Sequence, residues 1–135
     1  MDSKLDEALV RMAPTLYSGR YQSPTETAMC WGFECGNGWY RLLAELSLDL
    51  EDLILMEPAD TWKHMHAQQV KEKYGSLRFS MWGATDEMLE LIDNAEERSL
   101  RICESCGENG KLFDDGWCEV RCDHCYMEER RGREE

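Results

Sequence analysis

The chain has 135 residues, the size of one ordinary domain, with room for a small appendage but not for a second large unit. Its 42% hydrophobic content, with five Trp and five Tyr, excludes disorder over most of the length, and a net charge of −13 opposes close approach to nucleic-acid phosphate or anionic lipid. No stretch approaches the roughly 20 apolar residues of a membrane span, and the start MDSKLDEALV lacks the apolar run that export needs, so the expected setting is the cytoplasm with no membrane partner.

In chain order, residues 3–13 predict a short helix with Ser3 as its cap, Asp6 three residues on, Leu5, Ala8, Leu9 and Met12 along one face, and Pro14 as the stop. Gly19 and Pro24 interrupt any period from Tyr17 to Trp31, which predicts a loop that packs its aromatics. Trp39, Leu42, Leu43, Leu46, Leu50, Leu53 and Ile54 then recur at helical spacing as far as Pro58. This is the expected core helix, starting near Asn37, which is its expected cap. The Gly36-Asn37-Gly38 step lacks the length and the lysine of a phosphate loop.

Two patterns compete over the next stretch. Leu77, Phe79 and Met81 alternate with Arg78, Ser80 and Trp82, and Tyr74-Gly75-Ser76 can turn the chain, which predicts a hairpin over about residues 67–82. Trp62, Met65, Gln69 and Val70 also fit a helix from Thr61 to Tyr74 stopped by Gly75, and pattern alone does not separate the two. Residues 85–101 predict a further helix, with Thr85 as cap, Asp86 and Glu87 in the first turn, Met88, Leu91, Ile92 and Ala95 inward, and Arg98 and Arg101 at its end. Its Glu90, Asp93, Glu96 and Glu97 read as a solvated face. The tail MEERRGREE, residues 127–135, reads as charged and frayed.

Five of the seven cysteines fall between residues 103 and 125. Cys103/Cys106 and Cys122/Cys125 are two Cys-x2-Cys pairs separated by 15 residues, the spacing of a four-cysteine Zn2+ site. Each pair wraps a tight turn, Gly107 lets the first one close, and the intervening hairpin, with Leu112, Phe113, Trp117 and Val120 available to cover the site, brings the pairs together. Four protein ligands leave no open position on the ion, so its expected role is structural; iron could occupy the same four-sulfur shell. An odd cysteine count without an export signal favours reduced thiols over disulfides. Cys118 and His124 are expected to be spectators, His64 and His66 to lie on the surface, and Cys30 and Cys35 to be small buried hydrophobes.

The chain therefore reads as α+β: a helix and hairpin domain over residues 1–101, a zinc ribbon over 102–126 and a charged tail over 127–135. Residues 71–84 are locally basic, and Lys71, Lys73, Tyr74 and Arg78 form a candidate binding patch in which cations interleave with aromatics. The bland reading sets those cations against the acidic helices and the aromatics in the core, and the total charge favours it.

FECGNGWYRLL, VKEKYGSLRF, and a helix with NAEERS running into CESCG and GWCEVRCDHC follow in that order over about residues 33–125. Together they resemble a group of small bacteriophage and prophage proteins, in which Asp more often stands at position 37 and Gly at position 76. That group has no settled activity, so no functional residue carries across. The resemblance implies a phage-type product acting in a bacterial cytoplasm. The favoured function is a non-enzymatic zinc protein that binds and modulates a host or phage protein with a neutral or basic surface, as an inhibitor of nucleic-acid machinery. The alternative is a nucleic-acid-binding module using the ribbon or the 71–82 hairpin. An enzyme with a site in the N-terminal part ranks third.

Overall fold

The computed structural model describes residues 1–134, with side chains to residue 132; Glu135 of the charged tail lies outside the described residues. Among the described residues four α-helices and five strands follow in the order α1 (Ser3–Met12), β1 (Phe33–Glu34), α2 (Tyr40–Leu55), β2 (His66–Lys73), β3 (Ser76–Trp82), α3 (Asp86–Ser99), β4 (Lys111–Asp114), β5 (Cys118–Arg121) and α4 (Asp123–Glu134). The expected α+β class is the observed one. Leu42, Leu43, Leu46, Leu50 and Ile54 of α2 are buried at helical spacing, with α1 on one side and α3 on the other.

Two buried acids hold the segment after α1. Glu51 of α2 accepts from the backbone N–H groups of Thr15 (3.2 Å) and Leu16 (2.8 Å), donors that the break at Pro14 leaves without helical partners. Asp6 pairs with Arg20 at 3.0 Å and accepts from Phe33 N–H. Of the aromatics in this loop, Tyr17 packs edge-on against Phe33, while Tyr21 and Trp31 are exposed. The tight turn Ala28–Trp31 points Met29 inward, and Trp31, two residues on, therefore points out.

The helix caps differ from expectation. Asp2, one residue before Ser3, caps α1 by accepting from Lys4 N–H. Asn37 lies in a tight turn ahead of α2 and caps nothing there; its Oδ1 accepts from Asp2 N–H at 2.7 Å, tying the two helix starts together. Thr85 caps α3 as the sequence predicts.

Residues 67–82 form the hairpin and not the rival helix. β2 pairs with β3 antiparallel and with β1 parallel, in the order β1-β2-β3. Val70 faces Phe79 across the ladder and both are buried, a cross-strand pair that a helix over 61–74 would forfeit. A two-residue turn joins the strands, with positive φ at Tyr74 (53°) and Gly75 (89°). The edge of β3 is closed by α3: Leu77 N–H donates to Ser99 Oγ and Phe79 N–H to Glu96 Oε2, each at 2.9 Å. Glu96 is thus a backbone acceptor, not part of a freely solvated face.

After α3 the chain enters the second hairpin, β4–β5, and then α4. Where the sequence predicts a frayed charged tail, the described residues are helical: α4 starts among the cysteines and runs on to Glu134. Tyr126 stacks on Phe113 (3.6 Å, 6°), and Arg130 bridges back to Asp115 at 2.6 Å.

Candidate metal centre

The sulfurs of Cys103, Cys106, Cys122 and Cys125 all lie within 4.8 Å of one another, although the two pairs come from different turns. Cys103 and Cys106 sit on the turn that follows α3, closed by Gly107 N–H donating to the Cys103 carbonyl (2.9 Å) with Gly107 at φ +85°. Cys122 and Cys125 flank the start of α4, where Cys125 N–H donates to Cys122 Sγ at 3.4 Å. A tetrahedral ion with metal–sulfur bonds of about 2.3 Å requires sulfurs about 3.8 Å apart. Cys106 and Cys122 stand at 3.7 Å.

The donor chemistry fits a soft divalent cation. Burial would raise the Cys103 thiol, but backbone N–H groups of Cys122, Cys106 and Ser105 outweigh it and bring the thiol down to about 7. Desolvation and the hydrogen-bonded neighbouring sulfurs push Cys125 up. Without a cation the cage therefore holds protons, which a metal displaces. Cys103 is buried while Cys106 is exposed, so an ion held by the four sulfurs would sit near the surface of this module.

The other candidates lie elsewhere. Cys118 is on β5, 3.6 Å from Asp114, and His124 is exposed. Cys30 is half-buried and Cys35 buried, and neither joins His64 or His66; among the described residues the four ribbon cysteines are the one such cluster. Of the residues expected to cover the ion, Val120 is fully buried and Phe113 stacks on Tyr126. Leu112 and Trp117 are exposed: Leu112, opposite Val120 in the ladder, lies against the Gly75 turn, and Trp117 follows the turn between β4 and β5.

Sequence reading missed the seat of the ribbon. Gly38 N–H donates to the Glu104 carbonyl (2.7 Å), Gly36 N–H to Glu104 Oε2 (2.8 Å), and the Trp39 indole to the Ile102 carbonyl (2.9 Å). A Cβ on Gly36 would lie 2.3 Å from the Glu104 carbonyl oxygen, and one on Gly38 2.1 Å from that of Cys103. The glycines let two backbones touch, and their pairing around Asn37 was the available signal. Arg121 joins the parts of the ribbon: it reaches Glu129 at 2.7 Å, Glu104 at 3.3 Å and Glu119 at 3.7 Å. Burial raises the Glu104 carboxyl, against the Gly36 N–H and Arg121, which both favour its charged form.

The basic patch divides. Lys71 and Arg78 face each other directly across β2 and β3, beside Glu34, on the sheet face turned from the helices. Lys73 and Tyr74 stand at the turn, with Lys73 Nζ 5.7 Å from the Tyr74 ring centroid. Among the described residues none of Lys71, Lys73 and Arg78 makes an ion pair, so these cations are not neutralised by the acidic helices. Phe79 is core, whereas Tyr74 and Trp82 are exposed.

Among the described residues no helix is long and apolar enough to cross a membrane. No protein-family model, curated protein or solved structure matches the chain.

Proposed function

We propose that the protein is a non-enzymatic zinc-ribbon protein that binds and modulates a host or phage protein in a bacterial cytoplasm, as an inhibitor of nucleic-acid machinery. The observation that carries this reading is the four-thiol cage seated on the core through Glu104, Gly36 and Gly38. Cys103, Cys106, Cys122 and Cys125 would hold Zn2+, which supplies fold energy and leaves no position for a substrate. What such an ion secures is the placement of a surface. A charge of −13 suits a neutral or basic protein partner and mimics the polyanion that nucleic-acid enzymes bind.

The test has two parts. Metal analysis of the purified chain should return one Zn2+ per molecule, and iron in its place would correct the ion. Capture from a bacterial host lysate, with nuclease present, should recover a stoichiometric protein; a bait that loses every protein after nuclease treatment defeats the reading. One observation favours nucleic-acid binding as the second reading: Lys71 and Arg78, two like charges, oppose each other across the sheet at a cost in stability. That reading requires binding that weakens with salt and disappears when Lys71, Lys73 and Arg78 are neutralised together.

A further inference from the structure

The tip of the first hairpin rests against the strands of the second. Gly75 lies under the second hairpin, where a Cβ would stand 2.6 Å from Leu112 Cδ1. Beside this contact opens a cleft of about 550 Å³ lined by Glu72, Lys73, Tyr74, Gly116, Trp117 and Cys118. Tyr74 is 73% exposed and Trp117 71%, and among the described residues neither ring packs against another. Two large amphipathic rings, one from each hairpin, thus line one cleft with their faces open, as at a recognition site.

Tyr74 is also placed against its own preference. Its φ of +53° is left-handed backbone, rare for a bulky side chain, and the first position of such a turn suits Asn or Asp. Local strain of this kind concentrates where a side chain has work outside the fold.

Charge selects the occupant. Glu72 accepts from Gly75 N–H (2.8 Å) and Asp114 from the Cys118 thiol (3.6 Å), and among the described residues neither carboxylate has a cationic partner. The Cys118 thiol is raised above its ordinary value, by lost solvation first and then by Asp114 and Glu72, as expected beneath a negative potential. Lys73, the one cation on the walls, already lies over the Tyr74 ring and would have to swing aside. A guanidinium is planar, weakly hydrated and able to stack on aromatic faces while its N–H fork reaches carboxylates, and it suits this site better than a strongly hydrated ammonium.

We propose that Tyr74 and Trp117 form an aromatic jaw that grips an arginine side chain of an extended segment of a protein partner, with Asp114 and Glu72 receiving its N–H groups. The inference rests on the protein-binding reading above and assigns that reading a site. The metal centre matters here indirectly, because the ribbon it folds carries Trp117 to Tyr74.

The test titrates the metal-loaded full chain with an acetylated, amidated Gly-Arg-Gly-Arg-Gly peptide; affinities are read by calorimetry for every variant, and contact at the jaw by the Trp117 indole N–H resonance where Trp117 is present. Saturable binding with a shift of that resonance is expected, together with at least ten-fold weaker binding by Trp117→Ala and by Tyr74→Asn and no binding of the citrulline peptide. Tyr74→Asn relaxes the turn, so a purely structural role for Tyr74 predicts unchanged binding. Equal affinity of the wild type and both variants reveals only bulk attraction to an acidic protein and overturns the jaw. Saturable binding of oligothymidine through Trp117, with the arginine peptide excluded, overturns it in favour of stacking on single strands. A partner captured equally by wild type and Trp117→Ala overturns the jaw and leaves the protein-binding reading standing. Jaw-dependent peptide binding with no partner captured supports the jaw and defeats that reading.

Discussion

Replacing Gly38 by alanine adds one carbon where two backbones touch. The new Cβ would lie 2.1 Å from the Cys103 carbonyl oxygen, 2.6 Å from the Glu104 carbonyl carbon and 2.7 Å from its oxygen, against a floor of 3.0 Å that real Cβ atoms respect. The shortfall to the nearest atom, 3.0 Å less 2.1 Å, is about 0.9 Å, and the obstructing atoms are backbone that cannot rotate aside. The ribbon must lift. Lifting it stretches the 2.7 Å bond from Gly38 N–H to Glu104 and the 2.8 Å bond from Gly36 N–H, each worth about 1 kcal/mol, with overpacking strain of about 1–3 kcal/mol in addition. A loss of about 3 kcal/mol is expected. It should fall first on the ribbon, because the obstructing carbonyl groups of Cys103 and Glu104 belong to it. The assay is chelator competition for the metal alongside thermal denaturation: about 3 kcal/mol of lost seating corresponds to metal binding weakened on the order of 100-fold. Gly132→Ala, where a Cβ meets nothing within 4 Å, serves as the control and should leave both readouts unchanged or slightly improved. Wild-type metal affinity and melting temperature in Gly38→Ala would refute the seat.

Chelation, or Cys103→Ser, should unfold the ribbon at a cost of several kcal/mol, seen as lost Trp117 and Tyr126 order by NMR with α2 retained. Because Cys125 is held above its ordinary value and Cys103 near 7, metal uptake at neutral pH displaces protons, and affinity should fall as pH falls. Each displaced proton contributes about ten-fold per pH unit, and a titration that is flat from pH 8 to 6 would contradict this. Arg121→Ala removes the cation facing the buried Glu104 carboxylate and should cost about 3 kcal/mol by denaturant melt. The sign with pH follows from Glu104, whose raised carboxyl favours protonation in the folded state, more so without Arg121; the deficit should therefore be full well above the carboxyl's titration and shrink as falling pH protonates it. Tyr74→Asn should stabilise the chain by about 1 kcal/mol by relieving left-handed strain, measured by the same melt.

The sequence by itself determined the periodic elements and the four cysteines that come together. Leu42 to Ile54 and Met88 to Ala95 recur with the helical period, Leu77 and Phe79 with the strand period, and each reports the face its own element buries. The two Cys-x2-Cys pairs were legible because each is a local turn and the hairpin between them sets how far apart they can lie. Tertiary structure decided whatever depends on residues distant in the chain. Gly36 and Gly38 look like a loop until Glu104, 68 residues beyond Gly36, takes both of their N–H groups. The choice of hairpin over helix at residues 67–74 rested on Val70 meeting Phe79 and on α3 lending Ser99 and Glu96 to the open edge. Trp117 reads as a cover for the ion in sequence and instead lines a cleft with Tyr74. Periodicity records which side of an element is apolar. Which two sides meet depends on backbone approach and on long-range hydrogen bonds, and those exist only once the chain has closed on itself.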